Sequence, residues 1–251
     1  MKRMGIKLSI ITSMLVLLAG CQQNTATTNS QTGATSSTQA AATSAAPSDT
    51  GASETAVTNV NAVNGKTSYG SYEDEDFDES YDAATATTIQ LNGSQSTIDG
   101  TGASLTDDVL TISAGGTYIL TGAFQGQIKV AAAQGVVKLV LNGATITNDD
   151  SAAIYVEQAE KVITTLAADT TNTLTDGADY VFANAADTEP SAAFYSKDDL
   201  TINGSGSLVV NGSYNNGIQS KDDLVITNGS ITVTAKNNGL KGKDSLSIAG
   251  G

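Results

Sequence analysis

The chain has 251 residues, with 12 Lys and Arg against 26 Asp and Glu, which gives a net charge of −14 at pH 7. Because the chain has no His and only one Cys, its composition rules out a His-dependent catalytic triad, His-ligated metals and internal disulfides. The acidic balance argues against a nucleic-acid ligand, because phosphate contacts need Lys and Arg.

The first 20 residues have the pattern of an export signal. Three basic residues precede an apolar run at 8–18 that is too short to span a bilayer. The string LAGC, ending at Cys21, resembles a bacterial lipobox, in which the cysteine is lipidated; a plain secretory signal with an incidental cysteine is the alternative. We expect a signal peptide at 1–20, lipidation of Cys21 and a location on the extracellular face of a bacterial membrane. Cleavage removes three basic residues and no acidic one, so the net charge falls from −14 to −17.

Two polar segments follow the signal. Residues 21–70 are rich in Ser, Thr and Ala and contain few large apolar residues, which predicts a disordered linker. Residues 71–85 begin with SYEDEDFDESYD, where seven carboxylates stand among three aromatic rings. Such a charge run predicts an acidic, solvated and disordered segment, with calcium collection or wall repulsion as the alternative role.

From residue 86 onward, short runs rich in Val, Ile, Leu and Thr are separated by pairs such as Asn-Gly, Asp-Gly and Asn-Asn. These pairs supply turns and the positive φ angles that turns need. The region shows no sustained helical periodicity. Residues 86–251 are therefore predicted to be almost entirely strand and turn.

A repeat of 22 to 24 residues decides the predicted architecture. SKDDL begins at Ser196 and again at Ser220, and a degenerate GKDSL begins at Gly242. Aliphatic or aromatic residues recur in step with each copy: Phe194, Ile218 and Leu240; Leu200, Leu224 and Leu246; Ile202, Ile226 and Ile248; Leu208 and Ile231; Val210 and Val233; Ile154 and Phe194. This predicts an all-β, single-stranded parallel β-helix with three short strands per coil. A β-sandwich is the competing interpretation, and it does not explain a fixed period.

The predicted register stops in mid-coil at Gly251, where a segment matching GSITV at 229–233 would come next. Solenoids need a polar terminal cap, because an open rung offers unpaired backbone to other chains. We therefore expect the sequence to be a piece of a longer protein, truncated at its C-terminal end.

Several strings resemble a clostridial-type family of secreted carbohydrate-binding proteins. They include GGTYILTG at 115–122, VVKLVLNGATITN at 136–148, SAAFYSKDDLTINGSGSL at 191–208 and YNNGIQSKDDLVITNGSITV at 214–233. The resemblance spans residues 85–251 and is more specific for fold than for ligand. It implies a right-handed parallel β-helix, similar to that of polysaccharide lyases, that binds calcium and is associated with cellulose and acidic pectic sugars.

Equivalent carboxylates on neighbouring coils form a predicted ladder: Asp198, Asp199, Asp222, Asp223 and Asp244. Like charges placed directly opposite one another are destabilising. Either the Lys beside each pair relieves the repulsion, or a hard cation does so. Ca²⁺ takes six to eight oxygen ligands, and a chain without His favours such oxygen-preferring metals. Ca²⁺ is the predicted cofactor here, with solvated turn charges as the alternative.

Asn216 and Asn238 belong to two Asn-Asn-Gly corners that the repeat stacks on each other. Asn and Gly tolerate the left-handed conformation of a sharp corner, and stacked Asn side chains form amide ladders. That structural role is one interpretation. In the other, the side-chain carbonyls complete the calcium site.

Three tyrosines are candidate carbohydrate contacts. Tyr155 and Tyr195 share one repeat position beside the inward Ile154 and Phe194, so both are predicted to point outward on one sheet. Tyr214 lies near the following corner. Together they would form a platform for pyranose rings, although an outward Tyr also occurs as ordinary strand filler.

The expected function is calcium-dependent binding of a plant cell-wall or other acidic polysaccharide at the cell surface, by a monomer that contacts the membrane through Cys21. A pectate-type polysaccharide lyase and a structural adhesin or stalk are the alternatives. With Arg absent after cleavage, a lyase base would have to be Lys197, Lys221 or Lys243. Neighbouring carboxylates raise the pKa of a Lys, which opposes that role, so no catalytic residue is assigned.

Overall fold

The computed structural model describes residues 70–251. The predicted signal peptide, the lipidation site Cys21 and the linker up to residue 69 lie outside the described residues. Within 70–251, no helix has the length and apolar content that crossing a membrane requires.

The regular structure of this region is almost entirely strand, which confirms the all-β prediction. A short 3-10 helix, Asp74–Phe77, precedes the strands. In chain order the strands are β1 Thr87–Asn92, β2 Thr97–Asp99, β3 Ala103–Thr106, β4 Val109–Ile112, β5 Gly116–Gln125, β6 Gln127–Ala131, β7 Val136–Thr147, β8 Ile154–Gln158, β9 Lys161–Leu166, β10 Thr171–Thr175, β11 Ala192–Ser196, β12 Leu200–Asn203, β13 Ser207–Gly212, β14 Asn216–Ser220, β15 Asp223–Ile226, β16 Ser230–Ala235, β17 Leu240–Gly242 and β18 Ser245–Ile248.

The strands form two sheets in which most pairings are parallel. One follows the order β17-β14-β11-β8-β6-β4-β3, and the other follows β16-β13-β10-β7-β9-β12-β15-β18, with β1, β2 and β5 beside it. The long strand β7 joins two arms of the larger sheet, since residues 136–141 pair with β9 and residues 145–147 pair with β10. The chain therefore visits three stacks of parallel strands in turn, as the sequence repeat predicts.

The register of these pairings is also the one that the repeat predicts, because equivalent positions lie side by side on neighbouring strands. The observed partners are Ile154 and Phe194; Phe194, Ile218 and Leu240; Leu200, Leu224 and Leu246; Ile202, Ile226 and Ile248; Leu208 and Ile231; and Val210 and Val233.

One aliphatic core runs through the stack. Residues along β13 alternate between half-buried and buried, because successive side chains of a strand point to opposite faces. Burying a large aliphatic side chain contributes about 1.5–3 kcal/mol, so the shared core stabilises strands that are individually short. In the last rung the exposed fractions of Leu246 and Ile248 rise to 43% and 52%.

Residues 176–191, named here the excursion, interrupt the repeat between β10 and β11. The excursion contains no regular strand or helix and lengthens its coil, which is why Ile154 and Phe194 pair directly although they are 40 residues apart. Asp176 holds the first residues of the excursion in place through two hydrogen bonds. The Tyr180 hydroxyl donates to Asp176 Oδ2 at 2.7 Å, and the Ser213 amide donates to Asp176 Oδ1.

The acidic segment at 71–85 was expected to be disordered, and the structure contradicts this. Residues 71–80, named here the acidic strap, lie on the outer face of the larger sheet. Lys161 on β9 is 6% exposed, and its ammonium contacts carboxylates of the strap. A buried cation needs carboxylate partners, and this segment supplies them. The charge run is therefore one half of an ion-pair network.

Candidate functional site

The excursion folds over the outer face of the smaller sheet and leaves a cleft of about 420 Å³ there. The excursion contributes one wall, and β8 together with the residue that follows β11 contributes the other. Its polar and aromatic lining consists of Tyr155, Glu157, Asp187, Thr188, Glu189 and Lys197. We call this the excursion cleft.

Tyr155 and Lys197 lie in the wall that β8 and the residue after β11 contribute. The Lys197 ammonium lies 5.6 Å from the centre of the half-buried Tyr155 ring, within cation–π range. The pKa of Lys197 lies above its ordinary value because of the hydrogen bond with Tyr155, and the carboxylates of Glu157 and Glu189 add to the shift. Lys197 therefore stays protonated at neutral pH, which is unfavourable for a general base.

Glu189 keeps a negative charge in the cleft wall. Burial by itself would raise its pKa, but the hydrogen bond from the Lys221 ammonium outweighs burial and holds the pKa of Glu189 below its usual value. Glu157 also lines the cleft, and its carboxylate pairs with Lys129 at 2.7 Å. The cleft thus combines hydrogen-bond acceptors with an aromatic face.

Tyr195 does not form the predicted surface platform. It does lie on the outer side of its strand, but the excursion covers it and it is fully buried against Ala152 and Ala192. Its ring centre is 5.9 Å from that of Tyr155, at an interplanar angle of 57°. Burial raises the pKa of Tyr195, and the Glu189 carboxylate adds to this effect. Tyr195 is therefore a buried support for Tyr155.

Tyr214 belongs to an aromatic cluster that sequence reasoning missed. Its half-buried ring stacks on Tyr180 with ring centres 4.0 Å apart and an angle of 14°, and Phe182 lies 6.3 Å away. The Tyr180 hydroxyl is also 3.0 Å from the carbonyl of Ala192. Two aromatic residues in a stretch that breaks the repeat, YVF at 180–182, were the available signal.

The carboxylate ladder is crowded, as the sequence predicts. The pKa of Asp222 is raised by burial and then by the neighbouring charges of Asp244 and Asp198. Some of these carboxylates accept bonds from the backbone of an adjacent coil: Asp199 Oδ1 accepts from the Asp223 amide at 3.1 Å, and Asp198 Oδ2 from the Ala159 amide at 2.8 Å.

The lysines of the Lys-Asp-Asp copies do not all relieve this crowding. Lys243 pairs with Asp244 at 3.3 Å, whereas Lys221 turns to Glu189 and Lys197 turns to Tyr155. Among residues 70–251, no three His, Cys, Asp or Glu side chains converge in a group that could hold a metal ion. Calcium binding at the ladder stays a prediction.

Asn216 and Asn238 form the amide ladder that the structural interpretation predicts. Asn216 Oδ1 accepts from the backbone amide of Asn238 at 3.1 Å and from its Nδ2 at 3.0 Å. Asn216 Nδ2 donates to Gln219 Oε1 at 2.6 Å. The side-chain carbonyl oxygen of Asn216 thus takes part in joining two coils.

Comparison with known proteins agrees with this architecture. Residues 106–251 match the model of a family described as carbohydrate-binding domain-containing protein. A curated protein of that description from Acetivibrio thermocellus is 47% identical over 136 residues, which cover 53% of this chain and 48% of the relative. The chain therefore spans about half the length of the curated relative it matches.

A solved structure is similar as well. It is described as the polysaccharide lyase-like protein from C. thermocellum, in a gadolinium derivative, and it superposes with a TM-score of 0.64 at 42% sequence identity. The match covers 66% of this chain and 68% of that one. Since the family model matches more than half of the sequence, the chain belongs to the family of carbohydrate-binding domain-containing proteins.

Proposed function

We propose that the chain is a cell-surface protein that binds polysaccharide in the excursion cleft and is attached to the membrane through a lipid on Cys21. The observation that carries the proposal is the cleft itself, where the ring of Tyr155 lies among the side chains of Glu157, Asp187 and Glu189. Family membership supports the ligand class.

The chemistry of the lining suits a sugar chain. Carboxylates accept hydrogen bonds from ring hydroxyls, and charge-assisted bonds of this kind are stronger than neutral ones. The apolar face of a pyranose can pack on the ring of Tyr155. The stack of Tyr180 and Tyr214, with Phe182 beside it, fixes the excursion that forms the opposite wall. Such support favours a preformed cleft.

We further propose that the ligand is an acidic polysaccharide and that calcium bridges it to the protein. A mature chain with a net charge of −17 repels a polyanion, so a shared divalent cation would have to offset the repulsion. The crowding of Asp222 with Asp198 and Asp244 supports a cation requirement on this side of the molecule.

The stack of parallel strands is proposed to be a right-handed parallel β-helix. Parallel strands of one sheet are joined by right-handed crossovers in nearly all known cases. The similar solved structure, described as polysaccharide lyase-like, supports this assignment. That description also makes a polysaccharide lyase the second candidate function, although the raised pKa of Lys197 weighs against a lysine base in this cleft.

The test is substitution of Tyr155, the aromatic residue in the cleft wall. We expect Tyr155→Ala to weaken binding to the polysaccharide selected from a glycan array by about tenfold, which corresponds to about 1.4 kcal/mol. Tyr81→Ala is the matched control, because Tyr81 is exposed and lies away from the cleft lining. Equal affinity of wild type and Tyr155→Ala would reject the cleft as the binding site.

The same samples separate the rival functions. Release of unsaturated uronides, followed by their ultraviolet absorbance, would establish a lyase. A protein that binds no glycan on the array, and whose melting temperature alone responds to calcium, would be a structural adhesin or stalk.

A further inference from the structure

The acidic strap lies across several strands of the larger sheet. The backbone amide of Ser71, the first residue of the strap, donates a hydrogen bond to Ser247 Oγ on β18 at 3.0 Å. Its last residues accept from Lys138 Nζ on β7, at the carbonyls of Asp78 and Ser80. Between these ends it crosses β12, so the strap runs along the stack and across the strands.

A buried cation lies beneath the strap. The Lys161 ammonium is 2.8 Å from Glu73 Oε2, 3.0 Å from Glu75 Oε1 and 2.8 Å from Asp76 Oδ1. These carboxylates raise the pKa of Lys161 even though burial alone would lower it. An ammonium buried without partners is strongly destabilising, so whatever covers this face must carry negative charge.

The surroundings of Lys161 are hydrogen-bond donors that point outward. Thr201 Oγ1 donates to Asp76 Oδ1 at 2.6 Å, Thr227 Oγ1 donates to the Asp76 carbonyl at 2.9 Å, and Asn203 Nδ2 donates to the same carbonyl at 3.1 Å. Asn228 Nδ2 also donates to Glu79 Oε1 of the strap at 2.7 Å. With Lys138, the face therefore holds two ammonium groups and four neutral donors, all directed at oxygens of the strap.

We propose that this face, named here the strap face, is a second binding surface, that its ligand is a linear polysaccharide with a carboxylate on each sugar, and that the acidic strap is a built-in competitor for it. A polyuronate presents carboxylates and other oxygens along a chain, as the strap does. The inference rests on the proposed function only for the choice of a polysaccharide as the ligand. It does not use calcium or the excursion cleft.

The covalent attachment of the strap determines the expected affinity. A tethered competitor acts at a high effective concentration, so the strap face is open for only a fraction of the time. The apparent affinity for a polyuronate is lowered by that fraction, and weakening the strap raises it. Glu73 and Glu75 suit this purpose because their side chains are 71% and 44% exposed, while Asp76 remains to neutralise Lys161.

The experiment measures the binding of polygalacturonate in the presence of EDTA, which removes any calcium-bridged binding. We expect Glu73→Gln with Glu75→Gln to bind at least tenfold more tightly than wild type. A second variant, in which residues 71–80 are replaced by a Gly-Ser segment of equal length, should gain more. Added monovalent salt should reduce both gains, because the attraction is between unbridged charges.

Control substitutions locate the gain. Lys138→Gln in the Glu73/Glu75 variant should remove it, whereas Lys236→Gln, the same charge change at an exposed lysine near the end of β16, should remove much less. Tyr155→Ala in that background should leave the gain intact, which separates this surface from the excursion cleft. An affinity that stays at the wild-type value in the Glu73/Glu75 variant overturns the proposal, even if Tyr155→Ala abolishes calcium-dependent binding elsewhere.

Discussion

At the level of single residues, Glu189 connects the excursion to the coil beneath it. Its lowered pKa means that its ion pair with Lys221 stabilises the fold at pH values above about 4.5, the ordinary Glu pKa, and that this contribution is lost as pH falls through the lower folded-state value. We expect Glu189→Gln to cost about 1 kcal/mol of unfolding free energy at pH 7, because both partners are one third exposed.

Urea denaturation of wild type and Glu189→Gln at pH 7 and at pH 3 checks this prediction. The difference between the two proteins should be smaller at pH 3 than at pH 7, because the pKa of Glu189 is lowered in the folded protein. A difference of the same size at both pH values would show that the carboxylate charge has no part in holding the excursion.

Asp76 and Lys161 provide the second prediction at this scale. Lys161→Met leaves Asp76, which is 1% exposed, buried without its cation, and should cost about 3–5 kcal/mol. Lys161→Met combined with Asp76→Asn removes both charges and should recover most of that loss. Chemical denaturation of the two variants gives the comparison. Equal losses in the single and double variants would mean that the ion pair contributes nothing specific.

At the level of the strand, the position of a residue in the stack should decide what its side chain contributes. Ile202 and Ile248 belong to one inward column, but Ile202 is fully buried and Ile248 is 52% exposed. Ile202→Ala should cost about 2–5 kcal/mol and Ile248→Ala less than about 1 kcal/mol. Similar losses from thermal or urea unfolding of this 251-residue chain would contradict the different burial that the structure gives to these two positions.

The elements differ in how far sequence could predict them. The register was predictable because Leu200, Leu224 and Leu246 recur at a nearly fixed spacing, and a slipped strand would place them on the wrong face. The ordered structure of the acidic strap was not predictable, because it depends on Lys161, which lies some 85 residues further along the chain. No local pattern reveals that partner.

The candidate site was predictable only in part, for the same reason. Tyr155 and Tyr195 were correctly placed on the outer side of neighbouring strands, since alternation along a strand fixes the side of the sheet. Their exposure was not predictable, because it depends on where the excursion folds. The excursion has no repeat of its own and is held through single contacts such as Tyr180 with Asp176.

At the level of the whole molecule, net charge determines how the protein can meet an acidic ligand. If calcium bridges this acidic chain, whose net charge is −14, to a polyuronate, EDTA should abolish wild-type binding in the excursion cleft, and moderate sodium chloride should change it little. Binding to immobilised polygalacturonate under the three conditions checks this. Binding that survives EDTA but is lost in Tyr155→Ala would point to stacking on a neutral glucan instead.

The central claim is that polysaccharide occupies the excursion cleft, and hydrogen–deuterium exchange on the full chain tests it most directly. With saturating polysaccharide and calcium, exchange should slow at residues 155–157 and 186–189, on the two walls of the cleft. Saturating binding that leaves exchange at both segments unchanged contradicts the assignment of the cleft as the binding site.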